Sequence, residues 1–266
     1  ENPYMAKSDS NIHHDCYNTD STDEVLPVDI YSEINVSYEK INPNASPAIF
    51  FDTYGHAVVP FLGGLAIRDI NADETQTEGC FSPKQHDGGG YMIQSSYSFV
   101  DESNRLVCPT SNNHVLMLKA TDDEGNVLPE FEKVLDIDIK AAAEEKLGKT
   151  LDQNLLAVVF DYEGNLWFAT GGFRIYPDRQ QQGAIGYISR TAIDAILNGE
   201  ETNLSDAVFV QELTPGEGAE NGIAASADGA VILTNQSCYL LQADEGVKVA
   251  WSTPYESIGA KESKEG

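Results

Sequence analysis

Three pairs of polar residues stand immediately before short apolar runs: His86-Asp87, Asp152 with Asn154, and Glu220-Asn221. Carboxylates and amides supply the hard oxygen donors that Ca²⁺ and Mg²⁺ prefer. His86 adds an imidazole, the side chain that titrates near neutrality unaided and can serve as a general base. If these segments meet, the chemistry they offer is a divalent cation site with Glu220, Asn221, Asp152 and Asn154 as ligands. His86 and Asp87 would then move a proton. The plainer reading is that each caps nearby backbone in its loop. A further cluster is His13-His14-Asp15. Adjacent residues of an extended segment point to opposite sides, so His14 joins such a site only if the N-terminal arm folds across it. The plainer reading there is a surface loop packed by Tyr17.

The elements that must position these groups read as short strands. Leu155–Phe160 is an apolar run, residues 161–165 (DYEGN) are turn chemistry, and Leu166–Thr170 is a second strand ended by Gly171-Gly172. The same hairpin recurs with turns at Gly55, Asn104, Gly164 and Gly229, about 50 to 65 residues apart, with four short strands per period. This predicts an all-β protein, a β-propeller of four-stranded antiparallel blades at about 45–84, 85–150, 151–218 and 219–255. Residues 1–44 form an arm with a closing strand at Ile30–Tyr38, and residues 256–266 a charged tail. Strands are expected at Tyr91–Val100 and Phe131–Ile139, a flexible turn at residues 85–90, and short helices at Ile139–Leu147, capped by Gly148, and Thr191–Leu197. Four blades suggest part of a larger propeller, completed by another chain or by further blades. In such a ring, the residues preceding each innermost strand gather at one channel mouth, which is where the three pairs fall.

Composition narrows the function. Of 266 residues, 43 are acidic and 16 basic, a formal charge of −27. Such a surface repels phosphate backbones and anionic lipid, which excludes nucleic acid as a partner. No apolar run reaches the ~20 residues of a membrane helix. Cys16, Cys80, Cys108 and Cys238 lack CxxC spacing and so do not suggest structural zinc. They allow one or two disulfides in an exported protein, or buried thiols. The opening Glu1-Asn2-Pro3 suggests a processed N-terminus and a secreted or periplasmic protein. Gly88–Gly90 precedes a strand and lacks the lysine of a phosphate loop. Ser95, Ser96 and Ser98 lack a nucleophile elbow.

Two phrases carry a family resemblance: Asp161-x-x-Gly164-Asn165-Leu166-Trp167-Phe168-Ala169, and Glu220-Asn221-Gly222-Ile223-Ala224-x-Ser226-x-Asp228-Gly229. They resemble blades of the six-bladed gluconolactonase and senescence-marker-protein group, and of strictosidine-synthase-like and virginiamycin B lyase-like propellers. The resemblance implies a Ca²⁺ or Mg²⁺ ligand at Asn221. It also implies lactone or ester hydrolysis, or lyase chemistry, on a small molecule. The early acidic "EGP" segment of that group has no counterpart in the first repeat. The competing expectation is a non-catalytic propeller that binds a small ligand or a protein.

Overall fold

Alternation of apolar and polar residues over five to eight positions, punctuated by Asp, Asn and Gly, favours strands over helices. In the computed structural model these runs form sixteen strands. The structure describes residues 2–7, 49–61, 64–69, 79–86, 88–172, 174–227 and 229–259. The expected strand at residues 30–38, the 13–15 cluster, Asp87 and Cys16 lie outside the described residues.

The strands fall into four consecutive antiparallel meanders. The first is β1 (Phe50–Phe51), β2 (Ala57–Phe61), β3 (Gly64–Arg68) and β4 (Gly79–Phe81). The second is β5 (Phe99–Val100), β6 (Arg105–Pro109), β7 (His114–Thr121) and β8 (Val127–Asp138). The third is β9 (Asn154–Phe160), β10 (Leu166–Gly171), β11 (Ala184–Ile188) and β12 (Val208–Glu212). The fourth is β13 (Ala219–Ser226), β14 (Gly229–Thr234), β15 (Ser237–Ala243) and β16 (Val247–Pro254).

The sheets are not purely antiparallel, which corrects the expectation of separate antiparallel blades. A parallel pair, Cys80↔Glu130, joins β4 to β8, and another, Gly171↔Ala219, joins β10 to β13. The four meanders therefore merge into two curled, mixed sheets. Two glycines permit the junctions. A Cβ on Gly79 would lie 2.1 Å from the Leu128 carbonyl oxygen, and one on Gly171 would lie 2.0 Å from that of Ala219. Any side chain there would push the neighbouring backbone away.

Packing follows the two-residue period. On the second meander, Leu106, Cys108, Leu116 and Leu118 face the first meander, in a core with Phe50, Val58, Ile67 and Phe81. Its opposite face carries Val107, Val115 and Met117, which join a larger core with the third and fourth meanders. Strand β9 is covered on both faces, so Leu155 through Phe160 are all buried, and its unbroken apolar run reflects that. An aromatic row, Trp167–Tyr187–Phe209, crosses the third meander with ring centroids 4.8 Å apart at each step. The N-terminal residues tie the second meander to the third. Asn2 Nδ2 donates to the Phe160 carbonyl at 2.6 Å, Ala6 N donates to the Val100 carbonyl at 3.0 Å, and Met5 is buried.

Helices are few and short. The expected flexible turn is in part α1 (Pro83–His86), started by proline, with Gln85 N and His86 N donating to the Ser82 carbonyl. The expected helix at Ile139–Leu147 forms as α2 over those residues. The Asp138 carboxylate caps Ala141 N, and Gly148 closes it at φ 67°. The helix α3 (Arg190–Leu197) is capped by Ser189, and α4 (Leu204–Ala207) is a single turn. The expected strand at Tyr91–Val100 shrinks to β5. A 3₁₀ turn at Ser95–Tyr97 interrupts it, because Ser98 Oγ and Tyr97 N donate to the Gln94 carbonyl.

Candidate functional site

The starts of β9 and β13 meet at one end of the third and fourth meanders. Asn154 opens β9 in register with Gly171, which in turn pairs with Ala219 at the start of β13. Gln153, almost fully buried, stitches the segments. Its Nε2 donates to the Glu217 carbonyl at 2.7 Å, and its Oε1 accepts from Thr170 Oγ1 at 3.0 Å. Two of the three sequence-predicted pairs, Asp152/Asn154 and Glu220/Asn221, therefore belong to neighbouring strand starts.

Of the third pair, His86 is described. His86 sits on α1 beside the β4–β8 junction, with Nδ1 3.3 Å from Glu130 Oε1 and its ring 5.0 Å from that of Phe81. The other described histidines are also held by carboxylates elsewhere. His56 Nδ1 lies 2.8 Å from Asp52 Oδ2, and His114 Nδ1 lies 2.7 Å from Asp136 Oδ1. His14 and Asp87 are outside the described residues.

The carboxylates at this end are already engaged. Asp152 Oδ2 accepts from Gln182 N at 2.8 Å, and Glu220 Oε1 accepts from Ile175 N at 2.8 Å. Asn154 is exposed, and Asn221 lies where the β13–β14 register shifts between Ala219 and Ile223. Among the described residues, no three His, Cys, Asp or Glu side chains gather as metal ligands would. Asp152 and Glu220 each spend one carboxylate oxygen on a backbone N–H, which leaves the other for a ligand.

A buried carboxylate next to this end was missed by the sequence reading. Glu217 is 2% exposed, and its Oε1 accepts from both Thr234 Oγ1 (2.8 Å) and Tyr239 OH (2.7 Å). Burial, then the Glu217 carboxylate, pushes the Tyr239 phenol up to about 12. Burial also raises Tyr255, with the charges of Cys238, Glu220 and Glu217 adding to it. Burial raises the Cys238 thiol. All three groups are neutral at physiological pH, so the cluster combines hydroxyl donors with carboxylate acceptors. The available signal was Gly216-Glu217-Gly218, a carboxylate between glycines just ahead of β13.

Asp52, Asp101, Asp122 and Asp161 were likewise overlooked as a set. Each opens a turn whose fourth residue has positive φ: Gly55, Asn104, Gly125 and Gly164. In each, one carboxylate oxygen accepts two backbone N–H groups, at the third and fifth turn positions, within 3.0 Å. The other takes the fifth residue's side chain: His56, Arg105, Asn126 or Asn165. These aspartates are structural, which removes them from the list of candidate ligands. The three described cysteines, Cys80, Cys108 and Cys238, are free thiols. Compared with known proteins, the chain matches no family model and no curated protein.

Proposed function

We propose that the chain is a run of propeller-type blades acting as a non-catalytic binding module. Its ligand would be a small molecule that presents hydrogen-bond donors and positive charge. The propeller reading is supported by the four successive meanders and by the Asp-headed turn recurring in the β1–β2, β5–β6 and β9–β10 hairpins. The observation that carries the binding reading is Glu220, part-exposed beside the Glu217–Tyr239 pair. One of its carboxylate oxygens is taken by Ile175 N and the other can accept from a ligand beside the neutral Tyr255 phenol, while all three described histidines are paired with carboxylates elsewhere.

The test is isothermal titration with putrescine as a cationic probe and succinate as its anionic counterpart. Putrescine is expected to bind and to weaken at least about tenfold in Glu220→Gln, with no binding of succinate. Turnover of a lactone or ester that requires Ca²⁺ or Mg²⁺ and is lost in Asn221→Ala would instead establish the metal-dependent hydrolase or lyase.

A further inference from the structure

Among the described residues, β13 to β15 of the fourth meander are covered on one face, and β16 is exposed along most of its length. The inner row Ala225–Ala230–Leu241 and the neighbouring Ile223–Ile232 pair are buried against the third meander. The residues between them in each strand form the opposite face, where cross-strand partners build the row Ala224–Val231–Leu240–Trp251 and the shorter row Leu233–Cys238–Thr253. Trp251 is 51% exposed and Leu233 49%. The second meander carries rows of the same kind on both faces, and both are buried by adjoining meanders. The outer face of the fourth thus continues an established stacking surface without a described neighbour upon it.

We propose that a second copy of this chain docks there, fourth meander against fourth meander. Charge selects this occupant. The chain has 43 acidic residues and a formal charge of −27, yet β14, β15 and β16 contain no Asp or Glu, and Lys248 is their single charged residue. Most approaches between two copies set carboxylates against carboxylates. This face brings them together with one carboxylate on the opposing strands, Glu220 of β13, which is held by Ile175 N. Using the same patch on both copies makes a closed two-fold contact, with Trp251 as the central aromatic anchor. The contact is sheet on sheet, like the packing of the third meander on the fourth.

Sedimentation velocity across protein concentrations up to about 50 µM tests it, a range that detects micromolar association. The wild-type chain is expected to dimerise, more tightly at higher NaCl as acidic repulsion is screened. Trp251→Glu and Leu233→Glu should each weaken the dimer at least about tenfold. Met92→Glu, a control at another exposed apolar residue, should leave it intact. Circular dichroism of each variant checks that the fold is retained. A wild-type chain that stays monomeric at the highest concentration overturns the proposal. So does a dimer that the folded Trp251→Glu and Leu233→Glu variants form as readily as wild type.

Discussion

Asp161 accepts four hydrogen bonds while only 3% exposed: from Glu163 N, Asn165 N, Asn165 Nδ2 and Trp167 Nε1, all at 2.8–2.9 Å. Its carboxylate holds the β9–β10 turn closed and orients the indole at one end of the aromatic row. Asp161→Ala strands those donors, two of them on buried side chains. Bonds to a charged acceptor are worth about 1.5–3 kcal/mol each and do not add fully, so a loss of about 3 kcal/mol is expected. Asp122 makes the same backbone bonds in the β7–β8 turn, but in an exposed loop. There water replaces the lost acceptor, and Asp122→Ala should cost distinctly less. Urea unfolding of the two variants, read at unchanged m, checks the contrast. Equal losses would mean that burial does not set the strength of the device.

At the scale of elements, the turns were legible and the junctions were not. Positive φ at Gly55, Asn104, Gly164 and Gly229 falls where the repeated hairpins required it, because a tight turn writes its backbone demand into a local residue type. Helix α2 was equally readable, since its Gly148 cap lies in the sequence beside it. The β4–β8 and β10–β13 bridges each depend on one residue pair between segments far apart in the chain. Gly171 read only as a strand end, and nothing local says that another backbone approaches it or Gly79. The candidate site divides the same way. The strand starts carrying Asp152, Asn154, Glu220 and Asn221 were placed by the repeat, but the N–H groups that occupy two of their carboxylates come from Gln182 and Ile175, 30 and 45 residues away. The β10–β13 junction gives a direct test. Gly171→Ala forces a methyl against the Ala219 carbonyl, an overpacking cost of about 1–3 kcal/mol. Hydrogen exchange should rise chiefly along β13 and at the end of β10, since their register depends on that contact. Protection unchanged there, with the loss spread evenly over all four meanders, would show that the parallel bridge is incidental to packing.

For the whole molecule, charge decides more than any single ion pair. The excess of 27 negative charges works against compactness, because folding concentrates carboxylates that an open chain keeps apart. Several of the described favourable pairs are exposed, as with Lys119–Asp123 and Lys248–Asp244, and exposed pairs contribute about 0–1 kcal/mol each. Salt screens both effects, and repulsion involves far more charges. Stability is therefore expected to rise with ionic strength, with the melting temperature climbing several degrees as NaCl goes from about 0.01 to about 0.5 M. Over that interval the screening length falls from about 30 Å to a few ångströms. Dimerisation would raise the melting temperature by mass action and mimic this result. The measurement therefore belongs on the Trp251→Glu variant at low protein concentration, where self-association through the fourth meander is suppressed. A rise that survives in that variant assigns the salt effect to repulsion within one chain. A rise seen only in the wild-type chain assigns it to two acidic copies being allowed to meet.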